Sequence, residues 1–274
     1  MSETSPLRRR LTLTASRTAL QLGRPNRRPP IQLRRPPLLC PIAFHSPLRF
    51  DILASLGNLR VLFMSEPFTG ENLTCIRGDR LVFAGLSFEV TAGGALLLTG
   101  PNGSGKTSLL RLMAGLAAQS DGVIRFGGED VREDLIAHRA NLHYVAHYDA
   151  AKPALTAYEN LAFWTAMHGG GDADAGLAAF DLSPLSGVPA RFLSAGQKRR
   201  LALARLVAIR TEIWLLDEPS VALDTASLDA LRSRIAEHRN SGGMVVASTH
   251  AELGFEDAAT LDVSAFNGRE AVPI

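Results

Sequence analysis

The chain has 274 residues, of which 46% are hydrophobic and 20% charged. This composition is typical of a globular protein, and the length allows one α/β domain with a sizeable core. No apolar run approaches the ~20 residues that a membrane-spanning helix needs, so work at a membrane would require partner chains that span it. The two cysteines, Cys40 and Cys75, form neither a disulfide framework nor a metal-ligand pattern, and we expect unpaired thiols in a reducing compartment.

The formal net charge of +2 is the sum of two unlike parts. Residues 1–63 contain 11 Lys and Arg against two acids, a charge of about +9, whereas residues 64–274 carry about −7. An acidic body repels phosphate backbones except at local basic patches, so the sequence pI near 8.7 does not favour nucleic-acid binding by the folded part. We therefore expect no nucleic-acid partner.

Residues 1–63 are also rich in proline, with eight of the 15 prolines of the chain. Proline fixes φ and removes a hydrogen-bond donor, so we predict a disordered basic extension at 1–63, with weak helix from Leu53 to Phe63. Three interpretations stay open: upstream sequence translated ahead of a true start at Met64, a basic tail of the protein, or an organellar transit peptide, which the Arg-rich, acid-poor composition resembles. Residues 64–274 are predicted to form the folded domain.

From residue 71 onward, strands and helices are predicted to alternate. Leu81 to Val90 has the pattern of a strand, and a turn follows at 91–94. The run from Ala95 to Thr99 is short and continuously apolar, which is typical of a strand buried on both faces. A glycine-rich loop and a helix over 107–116 come next.

The second half of the chain continues this alternation. Residues 155–168 are predicted to form a helix, because Thr156 and Glu159 make a capping box. A second helix starts after Ser194, and a third, capped by Asp224, runs to about Arg239. Buried strands are predicted at 213–216 and 244–248. Strands that alternate with helices predict an α/β fold with a parallel sheet.

The glycine-rich loop has the pattern G-x-x-x-x-G-K-[ST] and lies between a buried strand and a helix, as this motif requires. Its residues are Gly100, Pro101, Asn102, Gly103, Ser104, Gly105, Lys106 and Thr107, followed by Ser108. The glycines let backbone N–H groups point inward, and these donors, with the positive end of the helix, surround phosphate oxygens. Lys106 supplies a positive charge to the β- and γ-phosphates, and the Thr107 hydroxyl suits Mg²⁺. The motif predicts a nucleotide site but does not separate kinases, GTPases and motor ATPases.

An apolar strand that ends in two carboxylates supplies the second part of the predicted site. Asp217 is expected to hold Mg²⁺ through water, and Glu218 to orient or deprotonate an attacking water. Lys106 and Glu218 are therefore candidate catalytic residues, and Thr107 and Asp217 are candidate metal ligands. The implied cofactors are ATP and Mg²⁺.

Between the loop and the acidic strand end lies the pentapeptide Leu193-Ser194-Ala195-Gly196-Gln197. Its serine can cap a helix whose free N–H groups bind an anion. In this order along the chain, the pentapeptide resembles the signature LSGGQ of ATP-binding cassette (ABC) ATPases, with alanine at the third position. The resemblance covers about residues 71–274.

The resemblance to ABC ATPases implies a P-loop NTPase fold, with a RecA-like core around a parallel sheet and a helical subdomain inserted at about 135–197. It implies a homodimer that encloses two ATP molecules, each phosphate loop facing the signature residues 194–197 of the other copy. It makes His250 a catalytic switch histidine at the γ-phosphate, and it makes Asp224 part of a loop that crosses the dimer interface. ATP-driven closure and reopening would then drive transmembrane partners.

Two departures from the ABC pattern narrow the resemblance. His147, 41 residues after Lys106, stands where ABC proteins have a glutamine, and it can still donate or accept a hydrogen bond at this coupling position. Residues 75–78 offer no aromatic side chain in place of the tyrosine that stacks on adenine, so Arg77 or Phe83 is expected to cover the base.

With the segments 73–78, 155–161 and 193–197, His147 makes the chain resemble the ATP-binding subunits of the cytochrome c biogenesis (haem exporter) system. That resemblance implies ATP hydrolysis that powers haem export or release. It also implies integral membrane permease subunits as partners, and peripheral attachment through them to the cytoplasmic face of the bacterial inner membrane. The alternatives are an ABC transporter with another cargo, a soluble ABC protein that acts on DNA or ribosomes, and a nucleotide-binding subunit that does not turn over.

Overall fold

A computed structural model of the chain describes residues 67–147, 150–249, 251, 253–254 and 257–267. The predicted extension at 1–63 and its helix from Leu53 to Phe63 lie outside the described residues. In chain order, the strands are β1 (Phe68–Arg77), β2 (Arg80–Val90), β3 (Ala95–Thr99), β4 (Asp121–Phe126), β5 (Glu129–Asp130), β6 (Leu142–Val145), β7 (Ile213–Asp217), β8 (Met244–Ser248) and β9 (Ala259–Asp262). The helices are α1 (Lys106–Met113), α2 (Leu135–Ala140), α3 (Ala157–Met167), α4 (Ala173–Ala179), α5 (Ala195–Ala208) and α6 (Thr225–Asn240).

The predicted parallel sheet is confirmed, and its strand order is β6-β7-β8-β3-β9, with every neighbouring pair parallel. Its central strands are continuously apolar because both faces are buried. Leu215 and Val246 pack into one core, beneath the second sheet and α1, whereas Leu216 and Val245 pack into another, beneath the helices α3 to α6. All five strands therefore end at one edge of the sheet.

A second, antiparallel sheet has the order β2-β1-β4-β5. The strand prediction over 81–90 is confirmed in β2, but β1 was missed. Its register with β2 shifts between Gly70 and Leu73, and Asn72 has a φ of +51°. These irregularities interrupt the period-2 alternation by which a strand is recognised in sequence. The apolar side chains of β1 that do point inward, such as Leu73, are fully buried in the first core.

The three helices predicted in the second half are confirmed, together with their caps. Thr156 and Glu159 form the capping box of α3, and Ser194 and Gln197 form a second box at α5. The carboxylate of Asp224 accepts a hydrogen bond from the Ser227 N–H at the start of α6. Within the predicted helical subdomain, β6 is a strand of the parallel sheet, and α3 and α4 follow it. The extent of the subdomain stays a prediction.

Within the described ranges, none of the helices combines the length and the hydropathy that a bilayer crossing requires.

Burial lowers the pKa of three described histidines, His138, His143 and His238, and for the last two the shift is large. His143 on β6 is 1% exposed, and burial, followed by the positive charge of Arg205, lowers its pKa to about 3. His238 on α6 stacks on Trp214 with ring centroids 3.9 Å apart, and burial lowers its pKa to about 4. Both side chains are held neutral in the folded protein.

We expect the folded state to lose stability as the pH falls below about 6.5, the usual pKa of an unfolded histidine. The unfolded chain binds protons at both histidines in this range and the folded chain does not, so the free energy of unfolding decreases with falling pH. His143→Gln should remove up to about 2 kcal/mol of the loss between pH 7.5 and pH 5. Urea unfolding at both pH values measures this, and equal losses in wild type and variant would contradict the assignment.

Candidate active site

The predicted site residues follow strands that end at the same edge of the parallel sheet. The phosphate loop follows β3, His147 lies two residues after β6, and Glu218 directly follows β7. Because β8 lies between β3 and β7, the loop and the carboxylates are separated by one strand, and Ser248 at the end of β8 lies between them.

The phosphate loop is folded around the ammonium group of Lys106. The Lys106 Nζ donates hydrogen bonds to the Gly100 carbonyl at 2.7 Å and to the Pro101 carbonyl at 3.2 Å. Gly105, which precedes α1, has a φ of +106°, and a Cβ there would lie 2.7 Å from Val82 Cγ1. Both the backbone angle and the close approach of β2 therefore require glycine at this position.

Asp217 is the centre of a hydrogen-bonded cluster at the sheet edge. The Thr107 hydroxyl donates to its carboxylate at 2.9 and 3.1 Å, and the Ser248 hydroxyl donates at 2.7 Å. The Tyr144 hydroxyl reaches the same carboxylate at 3.4 Å, and burial, followed by the negative charge of Asp217, raises the pKa of this phenol. Asp217 is 2% exposed, and its carboxylate is oriented by donors from two strands and a helix.

Glu218 has a backbone conformation that is rare for a residue with a side chain. Its φ is +48°, and its N–H donates to the Ser248 carbonyl at 2.8 Å. Strained backbone of this kind persists where the surrounding structure fixes it, and it is concentrated at functional sites. The turn directs the chain away from the sheet immediately after Asp217.

A cavity of about 500 Å³ opens over these groups. It is lined by Arg77, Arg80, Val82, Asn102, Gly103, Gly105, Lys106, Thr107, Ser108, His147, Asp217 and Glu218. The loop, the two carboxylates and His147 are thus brought together as the sequence predicted. Gly100, Pro101 and Ser104 belong to the loop but do not line the cavity, and Ser104 is 2% exposed. His250 lies outside the described residues.

The prediction that Phe83 covers an adenine base is wrong. Its ring is fully buried in the first core, beneath Gly105. Arg77 lines the cavity, as does Arg80, which the sequence analysis missed. The guanidinium planes of both side chains can stack on a base.

Comparisons with known proteins agree with this geometry. Residues 83–221 match the family described as ABC transporter. The cytochrome c biogenesis ATP-binding export protein CcmA of Paramagnetospirillum magneticum is 50% identical over 212 residues, which cover 75% of this chain and 98% of that protein. This chain belongs to the ABC transporter family. The protein of the same name from Rhodospirillum rubrum is 53% identical over 201 residues, covering 73% of this chain and 86% of that one.

A solved structure confirms the fold. A dimeric ATP-binding cassette in a post-hydrolysis state, with ADP and phosphate bound, matches with a TM-score of 0.65 at 22% identity, over 72% of this chain and 95% of that chain. The predicted P-loop NTPase fold and the predicted resemblance are therefore confirmed. The chain is an ATP-binding ABC subunit that hydrolyses ATP.

The ABC signature lies apart from the cavity of its own chain. None of its residues, Ser194, Ala195, Gly196 and Gln197, is among the described residues that line the cavity. The Ser194 hydroxyl accepts from the Gln197 N–H, and the Gln197 side chain accepts from the Ser194 N–H. A Cβ at Gly196 would lie 2.9 Å from the Ala222 carbonyl, so the signature packs against the loop that leads to Asp224.

Ser248 and Tyr144 were missed by the sequence analysis. Each is a polar residue in or at the end of an apolar strand whose carboxyl end faces the site. That position was the available signal, because parallel strands present their last residues at one edge.

Ser248→Ala should weaken the site without unfolding the protein. Loss of the hydrogen bond to a charged acceptor costs about 1.5–3 kcal/mol and frees the Asp217 carboxylate to rotate, so kcat/KM for ATP should fall on the order of 10- to 100-fold. Steady-state ATPase assays across a Mg²⁺ titration measure the change. Thr165→Val, which removes a part-buried hydroxyl of α3 away from the cavity, is the control and should retain wild-type kinetics. Wild-type kinetics in Ser248→Ala would contradict the role of this hydroxyl.

Proposed function

We propose that this chain is the ATP-hydrolysing subunit of a haem exporter that serves cytochrome c biogenesis. The observation that carries the proposal is the 50% identity to CcmA over 98% of that protein. His147, which lines the cavity in place of the usual glutamine, supports the same assignment.

In the proposed reaction, a water oxygen attacks the γ-phosphorus of ATP, and the bond to the oxygen that bridges the β- and γ-phosphates breaks. Glu218 orients this water and accepts its proton. Lys106 and the loop N–H groups bind the phosphates, so the charge that develops on the leaving ADP is stabilised. His250 is proposed to contact the γ-phosphate.

The donor set fits Mg²⁺. The Thr107 hydroxyl and the Asp217 carboxylate oxygens are hard ligands only 2.9–3.1 Å apart, and the described residues contain no cluster of three or more His, Cys, Asp or Glu that would suit another metal. These two residues would hold the ion, directly or through water, beside the nucleotide. Bound there, it would neutralise phosphate charge.

The active unit is proposed to be a homodimer. Each cavity has a phosphate loop and two carboxylates, and its own signature helix does not line it. The capped N-terminus of α5 has free N–H groups, so it can complete the phosphate site of a second copy. Asp224 and its loop would lie at the interface.

A second surface suits the proposed membrane partners. An apolar groove of about 400 Å³ runs beside β6, the edge strand of the parallel sheet, and is flanked by Leu116 and Met167, which are 55% and 64% exposed. At its floor, the guanidinium of Arg205 stacks on Trp164 at 3.8 Å, and burial lowers its pKa to about 10.

The positive charges that line the groove favour an occupant that carries a carboxylate. The described residues that line it include Arg139 and Arg205 and no acid, and Arg205 Nε is buried without a hydrogen-bond partner among the described residues. We propose that it binds an amphipathic helix of a membrane-spanning permease subunit, with a carboxylate directed at Arg205. This docking would hold the chain at the cytoplasmic face of the inner membrane.

The function is tested in a bacterium whose own haem-exporter ATPase has been deleted. Expression of this chain should restore covalent haem attachment to cytochrome c, whereas Glu218→Gln should bind ATP but restore none, because the water is not deprotonated. Haem-stained gels measure the attachment. Failure of this chain to restore haem attachment, or normal cytochrome c with Glu218→Gln, would contradict the proposal. Stable co-purification with ribosomes or DNA would favour the soluble alternative instead.

Docking in the groove is tested with Met167→Asp. The new carboxylate is hydrated in the free subunit, but in the complex it would be buried against an apolar helix and would repel the partner's carboxylate. Recovery of the permease subunits with the tagged chain should fall about tenfold or more, which corresponds to at least ~1.4 kcal/mol, while ATP binding stays unchanged. Ala236→Asp, on the exposed face of α6, is the charge-matched control and should recover the subunits normally. Equal recovery with both variants would contradict this docking site.

A further inference from the structure

Arg199 is a buried arginine that binds the main chain of the active site. It is the fifth residue of α5, is 3% exposed, and was not singled out by the sequence analysis as a site residue. Its guanidinium donates to the carbonyls of Ala146 at 2.7 Å, Asp217 at 3.1 Å, Glu218 at 2.7 Å and Pro219 at 3.2 Å.

The four acceptors belong to two segments that carry functional side chains. Three of them are consecutive carbonyls at the turn after β7, where Glu218 has its strained φ of +48°. The fourth is the carbonyl that directly precedes His147. The donor is carried by the helix whose first turn is the ABC signature. One side chain therefore connects the signature helix, the His147 loop and the carboxylate that faces the cavity.

The chemistry of the guanidinium explains why arginine suits this position. It is planar and offers five N–H donors in fixed directions, so it can bind carbonyls on several sides at once. The Glu218 carbonyl also accepts from the Val221 N–H at 3.3 Å, so the guanidinium adds a second donor at this turn and joins it to the Ala146 carbonyl. Lysine would supply the charge and at most three donors from a single atom.

We propose that Arg199 is a positioning residue that fixes Glu218 for hydrolysis and couples its orientation to the signature helix. A displacement of α5 is transmitted through the guanidinium to the carbonyls on both sides of Glu218 and to the segment before His147. The inference rests on the proposed role of Glu218 in hydrolysis and is independent of the cargo.

The experiment uses the full chain in complex with its membrane partners. Arg199→Met, which keeps the length of the side chain but removes the donors, should lower kcat on the order of 10- to 100-fold. The Kd for ATP measured without Mg²⁺, where no turnover occurs, should change less than about threefold, because the phosphate loop is untouched. Arg199→Lys should recover part of kcat.

Arg239→Met is the matched control. Arg239 also donates to a main-chain carbonyl, that of Gly93, but at the opposite edge of the sheet, so this variant should unfold at a lower temperature with wild-type kcat. If Arg199→Met does not fold, Arg199→Lys decides: a kcat at least about threefold below wild type with an unchanged ATP Kd supports positioning. Wild-type kcat in either folded Arg199 variant overturns the proposal. A Glu218→Gln protein that still hydrolyses ATP would instead overturn the proposed function.

Discussion

The active site depends on how a short loop encloses a buried ammonium group. Lys106 is 8% exposed and is held by the carbonyls of Gly100 and Pro101, so the loop closes over its own lysine and α1 starts directly from it. This closure requires a left-handed residue at Gly105, and the same residue has no room for a Cβ because Val82 lies against it. The second sheet is therefore part of the proposed phosphate site, because its β2 strand packs against the loop at Gly105 and its arginines Arg77 and Arg80 line the cavity.

The Asp217 and Glu218 side of the site is also held by residues from several elements of the fold. Asp217 receives hydrogen bonds from hydroxyls on α1, β6 and β8, so its orientation is set by both strands that neighbour β7 and by a helix. Arg199 donates a hydrogen bond to the Glu218 carbonyl and so holds the turn at this residue. Each hydrogen-bond donor to the buried Asp217 carboxylate comes from a different element. A relative movement of those elements would therefore change the orientation of the carboxylate.

The sequence predicted the parallel sheet, three capped helices and most of the residues that line the cavity, because apolar runs, caps and the glycine-rich loop are local signals. It did not predict β1, whose alternation is broken at Asn72, or β6, which is four residues long. It also offered Phe83, as an alternative to Arg77, to cover the base, although this ring is a core residue. Ser248, Tyr144 and Arg199 act through contacts that span 31 to 73 residues of chain or through main-chain carbonyls, and neither kind of contact leaves a local pattern.

The position of β6 suggests how a partner bound in the groove would affect the residues of the nucleotide site. Tyr144, Val145 and Ala146 line the groove, yet the Tyr144 hydroxyl reaches Asp217 and the Ala146 carbonyl binds Arg199. Only one or two side chains therefore separate a helix docked in the groove from Asp217 and Glu218. Among the strands that the structure describes, β6 has a neighbour on one side only, so it can shift without separating two ladders, whereas β7 and β8 cannot. In the proposed complex, the centre of the sheet, which carries the phosphate loop and the carboxylates, is rigid, and β6 is the strand that can move between the site and the permease subunit.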